Sequence, residues 1–464
     1  MSLFTALNVS LTGLRTVTGQ MQLTADNISN ANTTGYTKKT AQLQPILLGD
    51  QPGGSQIIGY ARATNDGVTR TLRDATTEAG LRNAQDSYLQ DIQNILGNDT
   101  STPALATAVT KFTSAWAEMA AEPENNVQQR AVVQAGKILA DTVQATATKI
   151  EALDRQVRDD IDNSLTTLNT NLQKVAALNL QIASGYTLRQ PIGGLEDERD
   201  QIVLEIAKIT NIQVMQRDRG QIAIATKSGY MMLDVANYKT FGYDGTNVAA
   251  SDNLFYPLND ILTGGSLQAA IDFRTDGSPA AVSTEPADEV IRKLRSQLDA
   301  IVTAFTSTST GTFAAAYDGA TTLTGELVAS FFTGTDRTNF AVNSALISST
   351  SALKSNAAKA VTDMFNAGGQ NFSADGLSMT NASYNNLAPQ ILTNFQQSAN
   401  NINQLAKIAS SQSTVLSQRL ANATGVNTDT ELVALTSLQN AYSASAKVIG
   451  VINSMFDTLD QIIR

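Results

Sequence analysis

The sequence contains no cysteine and no histidine among its 464 residues. Without cysteine, the chain can form no disulfide, no thiolate nucleophile and no zinc–thiolate site. Without histidine, it lacks the commonest metal ligand and the usual general base near neutral pH. Carboxylates, serine–lysine pairs or tyrosine could still support catalysis. The two absences nevertheless favour a protein that is not an enzyme, with no catalytic residues, no metal site and no cofactor.

Aromatic residues are also scarce, at 6% of the chain, and Trp116 is the only tryptophan. Hydrophobic residues nevertheless make up 42% of the sequence, so most of it should fold. The length is sufficient for two or three domains. A core with few rings must consist mainly of Leu, Ile, Val and Ala packed between helices.

The balance of charge argues against two classes of partner. Lys and Arg total 32 and Asp and Glu total 42, which gives a net charge of −10. Binding to nucleic acid or to an anionic membrane surface requires clustered positive charge, so we expect neither partner. The sequence has no apolar run of about 18 residues, as a membrane helix would need. Its first residues do not resemble a cleaved signal peptide, which leaves export by a route that reads an uncleaved N-terminus.

Both ends of the chain carry the heptad pattern of coiled-coil helices. The N-terminal seam consists of Leu7, Leu11, Leu14, Thr18, Met21, Ala25 and Ile28. The C-terminal seam consists of Leu435, Leu438, Tyr442, Ser445, Ile449, Ile452, Phe456, Leu459 and Ile463. Each helix could pack on the domain next to it. We favour pairing of the two ends with each other and with further copies, because both carry the same narrow stripe and single helices are marginal in water.

Helical patterns dominate the middle of the chain. Residues 80–122 predict two helices broken near Asn98–Pro103, and a very long helix follows from about Val127 to Ser184–Gly185. Further helices are predicted at 195–209, 288–306 and 391–420. A Thr- and Gly-rich stretch contains three phenylalanines that are predicted to anchor it by packing: Phe313, Phe331 and Phe332.

The β patterns are shorter. Alternating residues between Asn211 and Asp234 predict strands with turns at 218–220 and 228–229. A smaller hairpin is predicted at 57–72, with Asn65-Asp66-Gly67 as its turn. The fold class is therefore mainly α with a smaller β portion: paired terminal coiled-coil helices and an elongated long-helix bundle carrying a β-hairpin subregion.

The predicted domain division follows from these patterns. Residues 1–45 and 430–464 form a terminal coiled-coil domain, and residues 46–429 form an elongated helical domain. The β-rich portion of the latter covers about 211–280. No separate outer β domain is expected.

A polar segment follows the N-terminal seam. Asn and Ser side chains can replace backbone hydrogen bonds at a helix end, and Gly35 can supply a positive φ after it. The segment reads Asn27-Ile28-Ser29-Asn30-Ala31-Asn32-Thr33-Thr34-Gly35-Tyr36. It resembles the signature shared by flagellar rod, hook and hook-associated proteins, in which it ends the N-terminal helix.

Three further stretches resemble the hook-associated protein 1 family within that group. They are Leu195 to Ile202 after the long helix, Ser330 to Gly334 around Phe331-Phe332, and Asn427 to Arg464. Longer members of the family insert an outer β-rich domain after the Phe-Phe segment. Only about ten residues, Thr335 to Ser344, stand there in this chain, so the resemblance implies that this domain is absent.

The resemblance implies a structural adaptor of the bacterial flagellum that joins hook to filament. The expected partners are about eleven copies of the chain itself in a ring, the hook protein, the next hook-associated protein and an export chaperone on the C-terminal helix. The expected location is extracellular, at the hook–filament junction. The alternatives are another axial protein of the rod and hook family or, in a different class, a secreted coiled-coil enzyme or translocator.

One acidic cluster could suggest paired catalytic carboxylates or a cation site. It consists of Glu196, Asp197, Glu198 and Asp200 beside Arg199. Successive residues on a helix point in different directions, so these acids are not expected to converge on one ion. The structural interpretation, which we favour, is that they complement a helix start and that Asp197 and Arg199 brace the junction with the strands.

Overall fold

The computed structural model describes residues 3–48, 51–98, 104–250, 258–259, 261–274, 289–320, 330–349 and 353–463. The α-helices are α1 Leu3–Ser29, α2 Asp66–Gln93, α3 Leu105–Ala121, α4 Asn126–Thr187, α5 Gly193–Ile209, α6 Gly265–Arg274, α7 Val290–Thr306, α8 Phe313–Asp318, α9 Ser344–Ser348, α10 Ala358–Ala367, α11 Tyr384–Thr424 and α12 Thr428–Ile463. The strands are β1 Lys39–Leu48, β2 Gln51–Arg62, β3 Ile212–Gln216, β4 Ile222–Thr226, β5 Met231–Asp234, β6 Asn237–Tyr238, β7 Phe241–Tyr243, β8 Val248–Ala250, β9 Phe332–Thr333, β10 Ala341–Val342, β11 Gln370–Ala374 and β12 Leu377–Ala382.

These elements confirm the predicted fold class, mainly α with a smaller β portion. The very long helix is present as the 62-residue α4, and the predicted break after α2 falls at residues 99–103, outside the described residues. Helix α10 and the β11–β12 hairpin did not emerge from the sequence patterns. None of the helices among the described residues has the length and apolarity needed to span a membrane.

The chain forms two compact units. The first unit comprises Met1–Gly80, Leu165–Gly265 and Ile408–Arg464, and the second comprises Leu81–Ser164 and Ser266–Lys407. The first unit thus brings together both ends of the chain and a segment from its middle. The predicted division at residues 45 and 430 groups residues by their role in assembly, and it stays a prediction.

In the first unit, β1 and β2 form an antiparallel hairpin that packs on α1. The predicted hairpin at 57–72 was wrong, because β2 pairs with the strand before it and α2 begins at Asp66. The Asn65 side chain accepts a hydrogen bond from the backbone N–H of Val68 at 3.2 Å. The Asn-Asp-Gly sequence therefore caps a helix instead of turning a hairpin, two roles for which the same residue types are favoured.

The first unit also holds the antiparallel sheet β3-β4-β5-β6. Its strands and turns lie where the alternation predicted them. Asn179 holds this sheet against α4, because its Nδ2 donates hydrogen bonds to the carbonyls of Ile222 at 2.9 Å and Val235 at 2.7 Å. Among the described residues of the predicted β-rich portion, about 211–280, the last strand ends at Ala250 and α6 occupies 265–274. Residues 275–288 lie outside the described part.

Most of the chain's few rings gather in the second unit. Phe112 is fully buried, with ring centroids 5.2–6.2 Å from its neighbours. Those neighbours are Trp116, Phe305, Phe313, Phe331, Phe332 and Phe365. The three phenylalanines predicted as anchors are confirmed as members of this cluster. It joins α3, α7, α8, β9 and α10 around one centre.

Substitution of Phe112 by Ala should lower the free energy of unfolding of the second unit by about 3–5 kcal/mol, because it empties the centre of the ring cluster. Urea unfolding followed by Trp116 fluorescence measures the change. The exposed neighbour Lys111→Ala is the control and should change it by less than about 0.5 kcal/mol. Equal stability of Phe112→Ala and the parent chain would show that the cluster does not hold these elements together.

Candidate assembly interface

The first and last helices pack against each other in antiparallel orientation. Near the start of α1, the ring of Phe4 lies 5.6 Å from that of Phe456, near the end of α12. At the other end of the pair, Nδ2 of Asn27 donates to Oε2 of Glu431 at 3.1 Å. The two ends of the chain therefore pair within one copy, as the favoured interpretation of the seams predicted. Contacts with further copies stay a prediction.

The pairing buries the C-terminal seam unevenly. Ile452 is buried, while Tyr442 and Leu459 are exposed. The remaining apolar members are partly exposed: Leu435, Leu438, Ile449 and Phe456. The side chain of Ile463 lies outside the described residues. Part of the predicted C-terminal seam is therefore exposed to solvent in a single copy.

The N-terminal seam divides in the same way. Four seam residues, spaced seven apart, are half-buried: Leu7, Leu14, Met21 and Ile28. Its other positions are exposed: Leu11, Thr18 and Ala25. A single copy thus covers only half of the α1 stripe.

Strand β2 covers another side of α1. Oγ1 of Thr16 donates to the carbonyl of Ser55 at 2.8 Å. A Cβ on Gly19 would lie 2.7 Å from Cδ1 of Ile57, so glycine permits the close approach of helix and strand. This contact was not predicted from the sequence. The signal for it was Thr12, Thr16 and Gly19, small or hydroxyl residues repeated at one helical face.

Asn27 is the centre of the polar segment that follows α1, and only 2% of it is exposed. Its Oδ1 accepts from the backbone N–H of Lys39 at 3.1 Å and from the hydroxyl of Tyr36 at 3.0 Å. Its Nδ2 donates to the carbonyl of Lys39 at 2.9 Å in addition to Glu431. One amide therefore joins the end of α1, the start of β1 and the start of α12.

The rest of the segment shapes the backbone around this amide. Gly35 has a φ of 78°, as predicted, and a Cβ there would overlap the side chain of Gln201. Nδ2 of Asn30 donates to the carbonyl of Asp26 at 2.9 Å at the helix end. The remaining polar members of the motif are at the surface: Ser29, Asn32 and Thr34. The structure thus brings Asn27, Gly35 and Tyr36 to the junction and leaves the others outside it.

Charged residues beside the motif complete the junction, and the sequence analysis missed their role. Nζ of Lys38 lies 2.7 Å from Oε1 of the buried Glu431. Burial, assisted by nearby carboxylates of which Asp26 acts most strongly, raises the pKa of Tyr36 to about 12. The Tyr36 hydroxyl therefore keeps its proton near neutral pH and remains a donor to Asn27. The sequence signal was the pair Lys38-Lys39, which follows the motif after one residue, and two acids in the first turn of the C-terminal helix.

The acidic cluster on α5 meets the same junction. Contrary to the prediction, three of its acids converge on one cation, the guanidinium of Arg62. The distances are 3.1 Å from Glu196, 3.2 Å from Asp197 and 2.7 Å from Asp200. These acids meet because Asp200 lies four residues after Glu196 and three after Asp197, which places all three side chains on one face of α5. A guanidinium presents donors along several edges and can bind all of them.

Asp197 and Arg199 were predicted to brace the junction between α5 and the strands that follow it. Arg199 does so, whereas Asp197 bonds to residues near the start of β1. Asp197 accepts from Nζ of Lys39 at 2.7 Å and from Oγ1 of Thr37 at 2.7 Å. The buried Arg199 donates to the carbonyl of Gly220, between β3 and β4, at 2.6 Å. These carboxylates are neutralised by neighbouring cations. Among the described residues, no group of acidic side chains is arranged to hold a metal ion.

Substitution of Glu431 by Ala should loosen the start of α12. The change leaves Lys38 and Asn27 without their shared acceptor and should cost about 1–2 kcal/mol. Amide hydrogen exchange in residues 428–440 should become roughly tenfold faster or more. Asp457→Ala removes an exposed carboxylate from the same helix and should leave that exchange unchanged. Equal protection in all three chains would exclude the junction as the anchor of α12.

Comparison with known proteins gives matches along most of this architecture. A family model described as the helical domain of flagellar hook-associated protein FlgK matches residues 89–332, more than half of the chain. A second model, described as the C-terminal region of flagellar basal body rod FlgEFG proteins, matches residues 417–462, which include most of α12.

Curated relatives carry the same family name. Flagellar hook-associated protein 1 of Escherichia coli strain K12 is 27% identical over 287 residues, which cover 58% of this chain and 52% of the relative. The protein of that name from Bacillus subtilis strain 168 is 22% identical over 299 residues, covering 60% of this chain and 59% of the relative. The chain therefore spans little more than half the length of the curated relatives it matches.

A solved structure is also similar, that of the flagellar hook junction protein FlgK from Burkholderia pseudomallei. It has 20% identity and a TM-score of 0.46, and the match covers 57% of this chain and 46% of that chain. The extent of the match to the helical-domain family model decides the assignment. The chain belongs to the family of flagellar hook-associated protein FlgK.

Proposed function

We propose that this chain is a structural, non-enzymatic component of the bacterial flagellum that joins hook to filament by assembling through its terminal helices. Membership of the family supports the flagellar role. The observation that carries the assembly step is an exposed apolar stripe on α12, which the pairing with α1 leaves uncovered. We call it the α12 stripe, and it consists of Val448, Val451, Met455 and Leu459.

The α12 stripe lies on one face of the helix, because its members follow at steps of three and four residues. Their exposed fractions are between 47% and 58%. Apolar side chains aligned in this way cost free energy in water and mark a surface that another chain covers. The same helix therefore binds α1 on one face and offers a second face to a partner.

The proposed partners follow from the family. About eleven copies would form one ring, between the hook protein on one side and the next hook-associated protein on the other. An export chaperone would hold α12 before assembly. The chain would leave the cell without a cleaved signal peptide and act outside it, at the hook–filament junction. Seam positions left open in one copy, among them Leu11 and Tyr442, would contact neighbouring copies.

The helical region between the terminal helices would surround this assembly and accommodate the difference between a bending hook and a stiff filament. The segment from Phe332 to Ser344 supports a compact form of that region. It contains only β9, the paired strand β10 and their connection before α9 begins. No additional β domain is inserted at this point of the chain.

Deletion of the gene from the bacterium that encodes this chain should leave hooks without attached filaments, because the joint between them is missing. Filament protein should then appear in the medium. Electron microscopy of the cells and immunoblots of the medium measure both effects. A deletion strain that still carries filaments of normal number would contradict the proposed role.

Complementation tests the α12 stripe in the same strain. Val451→Glu should fail to restore filaments, because it places a charge on the surface to be buried. Asn453→Glu is the matched control, since Asn453 is exposed on α12 outside the stripe, and it should restore them. Equal restoration by both variants would remove the α12 stripe from the assembly mechanism.

A further inference from the structure

The first unit carries a second exposed apolar surface besides the α12 stripe. It lies on β1, whose residues Leu43 and Leu47 are 47% and 69% exposed. Both pair across the hairpin with β2 positions, Leu43 with Ile57 and Leu47 with Pro52. We call Leu43 and Leu47 the β1 shelf.

The β1 shelf lies on the same face of the β1–β2 hairpin as the helix α1, which packs on that face. In an antiparallel pair, residues directly opposite each other point to the same face. Leu43 is opposite Ile57, whose Cδ1 approaches Gly19 of α1. Of the two hairpin strands, β2 makes most of the contacts with α1, so the same face continues beyond the helix onto β1 and is open there. A helix lying on β1 would continue the layer that α1 begins.

The hairpin contacts and the seam residues lie on different sides of α1. The residues that meet β2 are on one side of α1, among them Thr12 and Thr16. Half-buried seam residues such as Leu14 and Met21 lie about 140–180° around the helix from them.

The two surfaces match in size and in chemistry. Eleven residues of helix separate Val448 from Leu459, about 16 Å at the rise of an α-helix. Four residues of strand separate Leu43 from Leu47, about 14 Å at the rise of a β-strand. Residues 40–48 contain no charged side chain, so burial of the β1 shelf requires no ion to be desolvated.

We infer that the β1 shelf of one copy receives the α12 stripe of a second copy. The occupant is a second copy because the same unit carries both halves of the contact. The α12 stripe is also continuous with the seam that already binds α1, since Leu459 belongs to both. A contact between two different surfaces is heterologous, so every copy offers one free surface to the next and the assembly can close as a ring. This inference rests on the proposed function and specifies which surfaces meet.

Cysteine cross-linking of the full-length chain tests the contact, because the parent sequence contains no cysteine. Two single variants, Leu47→Cys and Met455→Cys, are purified, mixed at high concentration and oxidised. Gels without reductant and mass spectrometry of the cross-linked peptides identify the product. The matched controls are Gln44→Cys on β1 and Asn453→Cys on α12, both exposed but outside the two surfaces.

The mixture of Leu47→Cys and Met455→Cys should yield roughly tenfold more cross-linked dimer than either variant alone or than the control mixture. In that dimer, residue 47 of one copy is bonded to residue 455 of the other. An equal yield from Met455→Cys alone would overturn the inference, because it would show that α12 pairs with its own counterpart.

Sedimentation of the parent chain separates failure of this contact from failure of the proposed function. If the parent chain associates and the mixture gives no cross-link, the β1 shelf does not bind the α12 stripe and the inference is wrong. The proposed adaptor role is then still decided separately, by the gene deletion. If the parent chain does not associate at any concentration and no cross-link forms, the inference is overturned as well. Leu47→Asp should weaken association at least about tenfold, and Gln44→Asp should leave it unchanged.

Discussion

The architecture of the first unit depends on a simple constraint, which is that a helix with one narrow apolar stripe gains too little free energy to fold alone. Both ends of the chain are such helices, and each supplies the partner that the other needs. The buried contact between Asn27 and Glu431 fixes where one helix starts along the other. Because both groups are buried and polar, any displacement of one helix along the other would break their hydrogen bond inside the protein and cost free energy. An apolar seam provides the attraction, and a polar pair determines the register.

The junction beside this contact shows how charges can be kept inside a protein without catalytic use. Arg62 is surrounded by carboxylates from one end of α5, and Lys39 meets Asp197. Burial disfavours each charge separately, while mutual attraction and hydrogen bonds compensate when every member is present. The cluster holds the β1–β2 hairpin against α5. It stabilises this contact only when all of its charged side chains are present.

Long periodic elements were predictable from sequence because their signal accumulates over many residues. The apolar face of α4, the seams of α1 and α12 and the alternation in β3 to β5 are of this kind. Short polar signals were ambiguous, since Asn65-Asp66-Gly67 suits a hairpin turn as well as a helix start. A helix start forms here because β2 pairs with β1 and is therefore not available for a hairpin with the residues after Gly67. Local sequence carries no information about such competition between partners.

The site was predictable only in outline for a similar reason. The sequence located the seams and the polar motif, because periodicity and composition mark them. It did not show that Lys38 and Glu431 meet, since these residues are almost the whole chain apart. Nor did it show that Arg62 gathers acids from α5. Contacts of this kind depend on tertiary structure, which brings distant residues together after the helices are in place.

The position of the only tryptophan has a practical consequence for studies of this protein in solution. Trp116 is fully buried among phenylalanines of the second unit. Its fluorescence therefore reports on the packing of the second unit, because all of its ring neighbours belong to that unit. Tryptophan fluorescence can therefore follow the folding of the second unit. Sedimentation or amide hydrogen exchange can follow the terminal helices of the first unit in the same sample.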